Sequence, residues 1–177
     1  MTTLRTSVGT FAIVIALGAP YVAASSATLG PSGYAGIKPG MTLAQASAAF
    51  GTAFVLTANA TPAETRACTY AFPRNRPRQP ALMVVNGRVA RIDVSRRAIA
   101  ADNGILVGDP VAKIRARFGR ANLVETPHTY DPRGTYIEVT PDQGSAQLRL
   151  LFETSKGRVT QFRSGRLPEV RYIEGCS

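Results

Sequence analysis

A single histidine, His128, stands beside Tyr130 and Asp131. Imidazole is the side chain best suited to moving protons near neutral pH. To serve a covalent hydrolase, it would need a serine or cysteine nucleophile and a carboxylate to orient it. The chain has no Gly-x-Ser-x-Gly elbow to present such a serine. Four carboxylates, Glu125, Asp131, Glu138 and Asp142, could supply an acid and a base across a cleft, but their spacing singles out no pair. Zinc usually takes several His or Cys ligands, and the chain offers one His and two Cys. The residues therefore point to no catalytic centre, no metal and no cofactor. His128 reads as a surface residue where a strand passes into a loop, and an enzyme is not expected.

The remaining chemistry is that of arginine. Lys and Arg number 21 against 11 Asp and Glu, a formal charge of +10. The cations are scattered, without the interleaved aromatics on which bases would stack, so nucleic acid is not an expected partner. Three uses of the charge remain. One is solubility, another is attraction to anionic lipid or cell-wall polymer, and the third is steering of an acidic protein. Pro73 to Pro80 holds three prolines and three arginines and reads as an exposed loop. Its Arg74, Arg76 and Arg78, with Arg91 and Arg163 expected on the wet side of strands and with Tyr130, form the expected contact surface.

Residues 1–24 have the layout of a secretory signal. Arg5 begins it, Phe11 to Val22 is its apolar core, and Val22-x-Ala24 offers a cleavage site, with Ser25-x-Ala27 as a second choice. The core is shorter than the roughly 20 residues of a spanning helix and contains Gly18 and Pro20. No cysteine follows it closely, so a lipidated terminus is not expected. The mature chain is expected to be periplasmic or secreted, with no transmembrane segment and residues 25–33 as a flexible lead-in. In such a compartment an even cysteine count normally means a disulfide, here Cys68 with Cys176. A reactive thiol or a metal ligand is the rival reading, but neither cysteine has a CxxC partner or a nearby His.

The elements that must position these groups are duplicated. Gly36-Ile37-x-x-Gly40 leads through Leu43 and Ala46 to Phe50-Gly51, and Gly104-Ile105-x-x-Gly108 leads through Val111 and Ile114 to Phe118-Gly119. Each copy predicts a short amphipathic helix with one apolar stripe. Thr42 with Gln45 forms a capping box, Asp109 is the expected N-cap of the second helix with Pro110 at its first position, and Gly51 and Gly119 are expected left-handed caps. Asn86-Gly87-Arg88-Val89 recurs as Lys156-Gly157-Arg158-Val159, and both read as hairpin turns. A two-residue turn would set Leu82 against Arg91. A three-residue loop sets Leu82 against Ala90 and Phe152 against Thr160, and keeps one face apolar.

Further strands are expected at Phe54–Leu56, at Ala67–Phe72 with Cys68, Tyr70 and Phe72 on one face, at Glu125–Thr129, at Gly134–Val139 and in the tail from Val170 to Cys176. The expected fold class is α+β, with two tandem repeats over residues 34–97 and 98–177. Each would be a short helix packed on a small antiparallel sheet.

The pattern Gly-Ile-x-x-Gly-Met-Thr, a short helix ending in Gly, then a hairpin with a turn glycine, resembles the outer-membrane assembly lipoprotein family of the SmpA/OmlA type. A tandem pair in one exported chain is similar in architecture to the β-lactamase inhibitor protein. The chain departs from the first in lacking a lipidated cysteine and from the second in having no Trp. The resemblance implies a non-catalytic protein-interaction module of the cell envelope, inhibitor-like in its use. A basic binder of anionic envelope polymer or lipid is the alternative, and a small enzyme the third.

Overall fold

The structure is a computed structural model that describes residues 27–57, 63, 67–74, 79–141 and 146–176. The leader expected at 1–24 lies outside the described residues, as do Arg76, Arg78 and Asp142.

Among the described residues two helices, α1 (Leu43–Phe50) and α2 (Val111–Phe118), accompany eight strands. The strands are β1 (Phe54–Leu56), β2 (Cys68–Pro73), β3 (Ala81–Val85), β4 (Arg88–Val94), β5 (Leu123–Pro127), β6 (Gly134–Val139), β7 (Leu148–Ser155) and β8 (Arg158–Arg166). They form one sheet in the order β1-β2-β3-β4-β8-β7-β6-β5, antiparallel at every junction.

This corrects the expected fold class. The chain does not fold as two tandem repeats, each with its own small sheet. It is sheet-dominated, and the sheet is continuous. The physical reason lies at the seam, where Arg91, Ile92, Asp93 and Val94 of β4 pair with Gly165, Ser164, Arg163 and Phe162 of β8. Two separate sheets would leave those edges with unpaired N–H and C=O groups. Gly165 permits the close approach, since a Cβ there would stand 2.5 Å from the Ala90 carbonyl oxygen. The apolar residues of both halves then merge into one core, with Ile37, Leu82, Ile92, Ile105, Phe152 and Phe162 in a single cluster.

Neither expected hairpin register is the observed one. Asn86 and Gly87 both take positive φ, and Val85 pairs with Arg88 across a two-residue turn. The register then shifts between Met83 and Val84, which leaves Ala90 as an extra residue and sets Leu82 against Ile92. Thr160 plays the same part in the second hairpin, where Phe152 faces Phe162. A β-bulge of this kind re-aims every later side chain on its strand. Turn and bulge together keep the apolar residues on one face, with Leu82 set against Ile92 and Phe152 against Phe162.

Both helices lie on that face. Thr42 and Gln45 cap α1 reciprocally, and Gly51 closes it in the left-handed region. The expected caps of α2 are corrected. Pro110 occupies the N-cap position, and Gly119 lies outside the left-handed helical region. The Asp109 carboxylate instead accepts from the Leu106 amide at 3.0 Å and from Lys113 Nζ at 2.6 Å. It ties the strand-like entry to the helix rather than capping it.

The tail is not the expected last strand. It makes a 3-10 turn at Glu169–Arg171 and runs on irregularly to Cys176, which is bonded to Cys68. It crosses the sheet face opposite the helices, where no strand edge is available to pair with.

Candidate functional site: the tail-covered face of the sheet

Alternation along each strand decides what the second face carries. It receives Tyr70 and Phe72 from β2, Arg91 and Asp93 from β4, Tyr136 and Glu138 from β6, Glu153 from β7, and Arg163 from β8. Asp93 lies directly across from Arg163, and Tyr136 directly across from Glu153. Opposite charges in cross-strand positions support pairing.

Arg91 and Arg163 were expected to be exposed contact residues, and this is corrected: each is only 3% exposed. Their guanidinium groups hold the tail. Arg91 donates to the Glu169 and Tyr172 carbonyls at 3.1 and 2.7 Å, to Asp93 at 3.0 Å and to the Tyr70 hydroxyl at 2.6 Å. Arg163 donates to the Val170 carbonyl at 2.8 Å and to Glu153 at 3.0 Å. The planar fork of arginine spreads its donors over several acceptors in fixed directions, a geometry the single ammonium of a lysine does not reproduce. The alternation that places these residues away from the apolar core was correct. The tail, folding back over them, removes them from water.

His128 is likewise not a free surface group. Its Nδ1 accepts from the Tyr130 and Asp131 amides, both at 3.1 Å, so the proton sits on Nε2 and is donated to Glu153 at 3.0 Å. The ring stacks on Tyr136 with centroids 4.5 Å apart. Both ring nitrogens are committed, which leaves none to accept a proton from a nucleophile. Gly134 makes room for the ring, since a Cβ there would lie 2.8 Å from the His128 Cβ.

The carboxylates are similarly occupied. Glu138 is bound by Arg171 and by Arg149, and the Arg171 hydrogen bond chiefly holds its carboxyl below the usual range. Burial pushes the Glu153 carboxyl up, but hydrogen bonds from His128, Gln161 and Arg163 outweigh it, and the net shift is downward. A hydrogen bond from Ser155 lowers Asp131, and one from Arg115 lowers Glu125. Asp93 moves upward instead, because burial outweighs the attraction of Arg91. Paired, ionised carboxylates suit a scaffold better than an acid–base pair. Among the described residues no three His, Cys, Asp or Glu side chains gather as a metal site.

Beside the tail lies a groove of about 400 Å³ whose wall includes Tyr70, Phe72, Arg91, Asp93, Arg96 and Arg163. The structure thus brings Arg91 and Arg163 together at the groove floor. Tyr130 is 65% exposed and hydrogen-bonds through its hydroxyl to Glu174 of the tail. It shares a shallow hollow with Tyr172 and both cysteines. Arg74 is exposed beyond the end of β2. The sequence reading missed Phe72, Asp93 and Arg96 as groove residues. The alternation of Cys68, Tyr70 and Phe72 was the available signal, but its use required knowing that β2 lies two strands from Arg91.

The disulfide joins residues 108 apart in sequence, with Cα atoms 5.3 Å apart. Such a bridge belongs to a protein that matures in an oxidising compartment. No helix among the described residues is long and apolar enough to cross a membrane.

No protein-family model and no curated protein sequence matches the chain. Among solved structures, the chain is similar to an extracellular protein containing an SCP domain from Bacillus anthracis. The identity is 8% and the TM-score 0.49, over 87% of this chain and 50% of that one. The chain thus spans about half the length of that protein. A likeness at this level carries no argument about function.

Proposed function

We propose that the chain is an exported, non-catalytic interaction module of the cell envelope, and that it docks a protein partner on the tail-covered face in the manner of an inhibitor. The observation that supports this reading most is the groove beside the tail. Its floor is built from arginines already hydrogen-bonded on several sides. Its surroundings offer exposed apolar and aromatic groups: Tyr130, Tyr172 and Ile173 are 65%, 43% and 41% exposed. Aromatics and arginines are the residues enriched where interfaces bury their centres. The committed ring nitrogens of His128 and the paired carboxylates speak against catalysis on this face.

A basic surface for anionic polymer or lipid has less support. Arg91, Arg149, Arg163 and Arg171 spend their charge on Asp93, Glu138 and Glu153. The cations of the two hairpin turns stand at opposite ends of the sheet, because β4 and β8 run antiparallel.

The test is retention on immobilised mature protein with its disulfide intact. Envelope extract is applied and washed at low and then high salt, in parallel with Tyr172→Ala and Arg96→Glu variants. One protein held at high salt by the parent and released by the variants is the expected result. Retention of anionic lipid or polymer alone, lost at high salt, would replace this reading with the polymer one. Protein retention indifferent to both variants would remove the groove from the account.

A further inference from the structure

A second cavity of about 320 Å³ opens over β5, β6 and β7. Val124, Leu151 and Ile173 give it an apolar wall, and Tyr136 and Arg163 contribute polar groups. These two residues are 7% and 3% exposed, and each carries an atom with no partner: Tyr136 Oη and Arg163 Nη2. The Arg163 guanidinium lies over the Tyr136 ring, 5.9 Å from its centroid, so the two atoms belong to adjacent groups. Buried donors are almost always satisfied, and an orphaned pair at one cavity asks for an acceptor. The charge there is in the same direction. Among the residues that line the cavity, Arg163 and Arg171 stand against Glu138, which leaves cation in excess. Glu138 also lines the cavity, but its oxygens are engaged by Arg149 and Arg171.

We propose that this cavity binds a monocarboxylate carried on a short apolar body. The carboxylate takes hydrogen bonds from Arg163 Nη2 and Tyr136 Oη, and the apolar body lies against Val124, Leu151 and Ile173. Charge-assisted bonds of this kind supply orientation, and a mostly apolar wall with few polar groups is usual for small-ligand sites. The site goes beyond the docking groove: the two share Arg163 and Ile173, but Val124, Tyr136 and Leu151 line this cavity and not the groove. Two sources carry this chemistry: a free short-chain acid, and the C-terminal carboxylate of a protein ending in an apolar residue.

The test is calorimetric titration of the intact mature protein with hexanoate, with hexan-1-ol, and with a short peptide ending in leucine as free acid and as amide. The variant is Tyr136→Phe, which deletes only the unpartnered hydroxyl and leaves the ring on His128. It is expected to fold with undiminished thermal stability, since it removes a buried polar atom that has no partner. Its affinity for hexanoate is expected to fall roughly tenfold or more, the usual effect of losing a hydrogen bond to a charged group. The Arg163 guanidinium resonances of the parent should shift on binding. Binding of the free-acid peptide without hexanoate would keep the carboxylate site and assign it to a protein chain end. Equal binding of hexanol, unchanged affinity in Tyr136→Phe, or no binding of either carboxylate would overturn the proposal.

Discussion

On the helix side of the sheet, Leu82, Ile92, Phe152 and Phe162 are essentially unexposed and meet Ile114 of α2 and Ile37 of the N-terminal segment. On the tail side, at neighbouring positions of the same strands, Arg91 and Arg163 donate to the backbone carbonyls of Glu169, Val170 and Tyr172 and to the carboxylates of Asp93 and Glu153. Both faces are covered, by different physics. The first closes by removing apolar area from water, which requires only complementary shape. The second closes only if each buried charge finds its partner, because a buried charge left alone is expensive. A face of the second kind is specific in geometry and has little stability to spare, which suits a surface that recognises something. The orphaned atoms on that face are where its hydrogen bonding is unfinished.

Four measurements would break or sharpen this contrast. The largest effect is expected from Phe152→Ala. Phe152 is fully buried, with ring centroids 5.8 Å from Phe118 and 5.7 Å from Phe162. The change should cost about 3–5 kcal/mol in denaturant unfolding. A loss below about 1 kcal/mol would mean that the helix side is not the main source of stability.

Replacing both cysteines by serine should cost about 2–4 kcal/mol, given the long loop that the bridge closes. Hydrogen exchange should quicken first at the amides of Arg171 and Tyr172, with Phe152 still protected. Simultaneous loss of protection on both sides would show that the tail does not open separately.

Acid should loosen the tail side. Glu138, Glu153 and Asp131 are held below their ordinary pKa, so the native state binds fewer protons than the unfolded one as pH falls. Their contribution is complete above the ordinary carboxylate pKa of about 4 and is lost as pH falls through the lowered values. Asp93 has the opposite sign: its raised carboxyl is better tolerated when protonated, so it offsets part of the loss. Unfolding free energy measured from neutrality to about pH 2 should decline below about pH 5. A flat profile would contradict the ion-pair account.

The smallest effect is expected at Arg115, whose pair with Glu125 on the helix side is 39% and 31% exposed. Arg115→Ala should change stability by about 0–1 kcal/mol. A much larger loss would undo the distinction between exposed pairs and the tail-side pairs.

Much of the local structure was legible. The short helices, the capping box at Thr42, the two hairpin turns and the pairing of Cys68 with Cys176 follow from residue type and spacing. The same holds for the alternation that puts Arg91 opposite in facing to Ile92. The hairpin registers were not legible, because a bulge at Ala90 or Thr160 has no marker residue and moves the pairing by one. The candidate site was half legible. Arg91, Arg163 and Tyr130 were identified, but as free contacts, and the groove aromatic Phe72 was not.

Sequence by itself determined the apolar stripes, the turns, the capping and the one possible cysteine pair, since each depends on groups a few residues apart or on simple counting. Only the tertiary structure decided that β4 and β8 join the halves into one sheet and that the tail crosses its polar face. Those outcomes turn on which edge hydrogen-bonds to which, and on carbonyls far along the chain that reach the buried arginines. Strand alternation can say that a side chain points away from the core. It cannot say whether water or another part of the chain will be waiting there.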